Sequence, residues 1–187
     1  MYQKIYKVME LYLGDFRGRY YLREISRLTK LPLRTTQRVL KDLEEGGVMK
    51  SEKSGKNRYY FLNLKNTRTK LHLLIAEINR TLEFLKRYKP FNMFLGERIE
   101  ACLVVFGSFA SFRADRTSDL DLLIIGKEEL PFHLLPYRVH KISLTKKQFE
   151  QALKNRDTVI KEILKNHVIL TDHSYFLEAL WSYYGEA

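Results

Sequence analysis

The sequence is poor in cysteine, tryptophan and proline: its 187 residues include 1 Cys, 1 Trp and 4 Pro. A single cysteine excludes an intrachain disulfide. Cys102 lies in an apolar run and reads as a small core residue. No segment approaches the roughly 20 consecutive apolar residues of a membrane-spanning helix. Met1-Tyr2-Gln3-Lys4 leads into an amphipathic pattern and lacks the apolar block of a signal peptide. His72, His133, His140, His167 and His173 show no zinc spacing with one another or with Cys102. The expectation is a cytoplasmic chain with no membrane partner, folded as one domain or two small ones.

What the sequence does have is positive charge, +11 in all, distributed unevenly. Residues 1–90 carry 21 Lys and Arg against 9 Asp and Glu, whereas residues 91–187 carry 12 against 13. The first half therefore has the electrostatic footprint of a nucleic-acid binder and the second does not.

In the first half, Ile5, Val8, Met9 and Tyr12 recur at helical spacing over residues 3–13. A second helix runs from Tyr21 to Thr29. A third starts near Pro32, which suits a first turn, and ends at Gly46-Gly47. At 100° per residue, Thr36, Val39, Leu40 and Leu43 of this third helix share one arc of about 100°. Arg34, Gln37, Arg38 and Lys41 share the opposite arc, and Thr35 lies beside them. Residues 48–62 read as a β-hairpin whose tip and flanks carry Lys53, Lys56 and Arg58.

Three helices and a basic hairpin in this order resemble the winged helix-turn-helix of prokaryotic transcription regulators, over residues 1 to about 64. The resemblance implies double-stranded DNA as partner, with the helix of Arg34 to Lys41 in the major groove and the hairpin as a wing along the backbone or minor groove. Residues 65–90 follow as a linker helix. In it Leu71, Leu74, Ile75, Ile78, Leu82 and Leu85 come close to a heptad seam, the pattern of a homodimer contact or of packing within the chain. Pro90 is expected to end it and mark the domain boundary.

The second half, residues 91–187, is organised around Gly107 to Asp121. Gly107-Ser108 follows the apolar run Cys102–Phe106. Asp119 and Asp121 are two apart where another apolar run, Leu122–Ile125, begins. Residues two apart in a strand share a side, so both carboxylates are expected to project together beside the Gly-Ser turn. Glycine lets a backbone approach a phosphate, and paired carboxylates suit Mg²⁺ carried on a nucleotide.

Gly-Ser followed by Ser118-Asp119-Leu120-Asp121 resembles the signature of the DNA polymerase β superfamily of nucleotidyltransferases, especially its minimal prokaryotic members. The resemblance implies a small α/β domain with a mixed sheet. It gives Gly107, Ser108 and Ser118 to a nucleoside triphosphate and Asp119 and Asp121 to Mg²⁺ and catalysis. Active members usually have a third carboxylate on a later strand, yet Tyr137–Leu144 contains none. His140 is a poorer Mg²⁺ ligand, and Glu128 or Glu129 would have to reach in from a loop. The family often has Arg-Gly three residues after the serine, whereas here Ser111-Phe112 stand there, and Phe112 is expected not to reproduce glycine's backbone freedom. The resulting fold expectation is α+β followed by α/β. The functional expectation is a DNA-binding regulator whose second domain serves as a Mg-nucleotide sensor or as an interaction module. The alternative is an active Mg²⁺-dependent nucleotidyltransferase that modifies a partner protein, for example by adenylylation, or another acceptor.

Overall fold

The computed structural model describes residues 2–127, 129–155 and 157–186. They form two compact units, Met1–Ala76 with Leu180–Ala187, and Glu77–Ala179. The division falls inside a helix, whereas the sequence pattern drew its boundaries at residues 64 and 90.

The first unit begins with α1 (Tyr2–Met9), which tightens into a 3₁₀ turn at Glu10–Tyr12, then β1 (Tyr20–Tyr21) and α2 (Leu22–Thr29). Next come α3 (Leu33–Glu45), β2 (Met49–Ser54), β3 (Asn57–Leu62) and α4 (Thr67–Arg87), which continues into the second unit. Thr36, Val39, Leu40 and Leu43 are the buried residues of α3, as the helical spacing requires. Both α1 and α2 pack on α3, and Val8, Met9 and Ile25 are buried with it. The Tyr12 hydroxyl donates to the Tyr60 carbonyl at 3.0 Å, and burial pushes this phenol's pKa up. The strands form an antiparallel sheet in the order β1-β3-β2. Two-residue β1, which pairs with Tyr59 and Tyr60, was not expected.

In the second unit, Pro90 opens a short helix, α5 (Pro90–Phe94), instead of merely ending α4. Its fixed φ suits a first helical turn. Then come β4 (Cys102–Phe106), α6 (Gly107–Ala110), β5 (Leu120–Ile125), a 3₁₀ turn at Phe132–Leu134 and β6 (Val139–Leu144). The rest is α7 (Lys146–Lys154), α8 (Thr158–Lys165), β7 (His167–Ile169) and α9 (His173–Glu186). Thr145 and Gln148 form the expected capping box at the start of α7.

The four-stranded sheet has the order β6-β5-β4-β7 and is mixed: β5 and β6 run parallel, the other pairs antiparallel. Leu103, Val105, Leu120, Leu122 and Val168 join Phe84, Phe91, Phe94 and Phe109 in one apolar core. The alternate residues Val104, Leu123 and Ile169 are also buried, so β4, β5 and β7 are covered on both faces, whereas no residue of edge strand β6 is fully buried. One row crosses all four strands: His140 beside Asp121, Asp121 beside Phe106, Phe106 beside His167.

The apolar pattern of α4 splits between two faces. Leu73, Ala76, Thr81 and Phe84 are buried, whereas Leu71, Ile75, Ile78 and Leu82 are 53%, 38%, 40% and 59% exposed. Among the described residues, no helix is long and apolar enough to cross a membrane.

Candidate nucleotide site and cationic face

Strand β4 ends in extended backbone at Phe106, and Gly107 then turns the chain with φ +68°. Asp121 stands directly across on β5. A Cβ built on Gly107 would collide with Asp121 Oδ2. Both the left-handed φ and the space therefore require glycine, and it is the carboxylate that occupies that space. After the single turn of α6, the chain winds back around Ser108. The Ser108 carbonyl accepts from the amides of Arg113 and Ala114 at 3.0 and 3.1 Å, and from the Ser111 hydroxyl at 2.9 Å.

The stretch before β5 is held by Asp115. Its Oδ1 accepts from the Thr117 hydroxyl, the Thr117 amide and the Ser118 hydroxyl at 2.8, 2.9 and 3.1 Å. These bonds, the Thr117 hydroxyl foremost, hold the Asp115 carboxyl below the usual carboxylate range. Ser118 thus has its hydroxyl engaged in this turn. Asp119 is exposed immediately before β5, Leu120 is buried, and Asp121 is half-buried. Asp121 Oδ1 lies 3.2 Å from His140 Nδ1 on the parallel neighbour β6. Asp121 therefore connects two features: one oxygen lies over Gly107 and the other faces an imidazole.

Over residues 78–178 the chain matches the family model described as "Nucleotidyltransferase domain". The match covers more than half of its length. The chain belongs to the nucleotidyltransferase domain family. No curated protein and no solved structure matches it.

Nucleotidyltransferase domains typically use nucleotide substrates and Mg²⁺. Among the described residues, no group of three or more His, Cys, Asp or Glu side chains is placed to hold a metal ion. Glu129 is exposed in the loop after β5, and Glu128 lies outside the described residues. Asp119 and Asp121 are the carboxylates on either side of Leu120, the first residue of β5. In this nucleotidyltransferase domain, His140 holds the place beside Asp121 on the next strand.

Phe112 corrects an expectation. It takes the left-handed conformation, φ +58°, that its side chain was expected to exclude. Such a conformation costs an L-residue about 1–2 kcal/mol. The ring is stacked on Tyr88, with centroids 6.4 Å apart, and lies under Arg80, whose Cζ is 5.7 Å from its centroid. Packing thus holds the backbone where glycine would have gone freely.

The sequence reading missed two supports of the nucleotidyltransferase domain. Arg80 of α4 donates to the carbonyls of Ala110, the last residue of α6, and His167 at 3.0 and 2.7 Å, and to Asn166 Oδ1 at 2.5 Å. It anchors the end of the Gly-Ser turn. Three residues earlier, fully buried Glu77 meets His167 Nε2 at 2.9 Å. His167 Nδ1 lies 3.0 Å from the Leu164 carbonyl, which can only accept, so Nδ1 carries a proton. A single further proton then serves Nε2 and Glu77 Oε1, while Glu77 Oε2 has no hydrogen-bond partner among the described residues. No local sequence pattern signals either arrangement.

In the first unit, Arg34, Gln37, Arg38 and Lys41 are exposed on α3 and Thr35 is half-buried. Lys41 lies 3.6 Å from Glu45. Lys53, Lys56 and Arg58 are exposed on the hairpin, and Lys53 stands opposite Arg58 across β2 and β3. Arg58 is partly neutralised, with Nε donating to the Ser51 hydroxyl at 2.6 Å and Nη2 lying 3.7 Å from Glu44.

Proposed function

We propose that this protein is a DNA-binding regulator of the winged helix-turn-helix kind whose nucleotidyltransferase domain binds a Mg-nucleotide as a sensor rather than as a substrate to be turned over. The observation that carries the sensor half is the row His140–Asp121–Phe106: an imidazole, not a carboxylate, flanks Asp121. Gly107 and Ser108 would receive the phosphates, and Asp119 and Asp121 the metal. Mg²⁺ held there would neutralise phosphate charge.

Support for the DNA half comes from helix α3, which buries one face and presents Arg34, Gln37, Arg38 and Lys41 on the other. Cations and amides of this kind contact phosphates and purine edges. On the hairpin, Lys53 and Lys56 are exposed cations of the kind that contact a phosphate backbone. The stripe Leu71, Ile75, Ile78 and Leu82 supports a homodimer, which suits a target with two half-sites.

The test is a separation of the two halves. Duplex binding should weaken steeply with salt, fall about tenfold or more in Arg38→Ala, and stay intact in Asp119→Ala. The second reading, an active enzyme that passes a nucleotide to a partner protein, is favoured by the family membership and the two aspartates. It requires label transfer from ATP to an acceptor that Asp119→Ala and Asp121→Ala abolish. Transfer of that kind would displace the sensor reading.

A further inference from the structure

We propose that the first unit contains a binding site for a small amphipathic anion, a carboxylate on an aromatic or aliphatic body. The site is a cleft of about 290 Å³ beside β2 and β3, near the lower end of the range of small-molecule sites, roughly 300–1,000 Å³. Its floor is apolar: Phe16 and Leu62 are buried, and Phe61 and Leu64 are half-buried. Its rim is cationic, with Arg17, Arg19, Lys50 and Lys65 and no acidic side chain.

The four cations differ in their engagement. Arg17 donates to the Tyr184 carbonyl at 3.2 Å. Arg19 pairs with Glu52 at 2.5 Å, and its Cζ lies 5.1 Å from the centroid of the Phe61 ring. Lys50 and Lys65 have no ion-pair partner among the described residues. A concave site lined by one sign of charge concentrates the opposite sign. The half-exposed ring of Phe61 and side chain of Leu64 ask in addition for an apolar body, which a bare phosphate or a phosphodiester does not supply. The carboxylate would meet the free ammonium groups of Lys50 and Lys65 and compete with Glu52 for Arg19. Glu52 lies on β2, next to Lys53 of the hairpin tip, so occupancy would change the charge balance of the hairpin. This inference is independent of the nucleotide reading, because every residue in it belongs to the first unit.

The experiment is a titration of the ¹⁵N-labelled full chain, followed by amide correlation spectra. The probes are 3-phenylpropionate, its neutral amide, the corresponding amine, and inorganic phosphate. Saturable shifts of the amides around Lys50, Phe61 and Lys65 with the carboxylate alone are expected. In a Lys50→Glu, Lys65→Glu double variant of unchanged melting temperature, the affinity should fall about tenfold or more. In Phe61→Ala it should fall for phenylpropionate. The proposal is overturned if the carboxylate gives no saturable shift at millimolar concentration, if amide or amine binds as well, or if phosphate binds as tightly. It is equally overturned if the double variant binds like the natural chain.

Discussion

Replacing Gly107 by alanine tests the junction of turn and carboxylate on which the site is built. Two costs are added at once. The residue has φ +68°, where an L side chain costs about 1–2 kcal/mol, and the new methyl would displace the Asp121 carboxylate. Gly55, at the hairpin tip, separates the two. It has φ +59°, and an added Cβ there meets nothing within 4 Å. Gly55→Ala therefore carries the backbone cost alone, and any gain from a less flexible unfolded chain, about 0.4–1 kcal/mol, is common to both variants. Relative to the natural chain, Gly107→Ala should lower the melting temperature of the second unit by more than Gly55→Ala lowers that of the first, at roughly 4–8 °C for each kcal/mol in units of this size. Isothermal titration with a Mg²⁺ complex of a non-hydrolysable ATP analogue should show affinity lost about tenfold or more, some 1.4 kcal/mol, in Gly107→Ala only. Equal depressions of the two units' melting temperatures, or natural nucleotide affinity in Gly107→Ala, would refute the reasoning.

The buried Glu77–His167 pair should tolerate Glu77→Gln, because the amide can donate to a neutral His167 Nε2. Glu77→Ala or His167→Ala should cost about 3–5 kcal/mol in denaturant unfolding, the usual cost of breaking a buried pair. At position 112, Gly should give a more stable protein than Ala by about 1–2 kcal/mol, the left-handed cost. Both should lie below the natural Phe, whose ring packing they lose. His173 Nε2 lies 2.9 Å from the Thr81 hydroxyl, and burial holds its imidazole below the ordinary pKa. The unfolded chain then takes up the proton more readily, so stability falls as pH drops below about 6.5 and is recovered above it. His173→Gln should flatten part of that slope, and His72, lowered for the same reason, contributes a further part.

Periodicity made much of this legible. The inward set of α3 follows from a 3.6-residue repeat, and the start of β5 between Asp119 and Asp121 follows from the apolar run there. The capping box of α7 is a four-residue pattern and was readable as such. What stayed hidden depends on distant partners. Arg80 matters through Ala110, Asn166 and His167, and Glu77 through a histidine 90 residues away. Two-residue β1 is too short to show alternation. Phe112 went unread because its left-handed φ is imposed by the rings packed on it. On α4 both faces carry large apolar residues, so hydropathy could not say that Leu73 and Phe84 turn inward while Leu71 and Leu82 face out.

The central claim is that nucleotide and duplex are received by different parts of the chain. Its most direct test is the measured affinity of the Mg²⁺ complex of a non-hydrolysable ATP analogue for the natural protein and for Asp121→Ala and Arg38→Ala. The account predicts saturable, Mg²⁺-dependent binding that Asp121→Ala loses and Arg38→Ala retains. Binding that survives Asp121→Ala, or that disappears with Arg38→Ala, would contradict it.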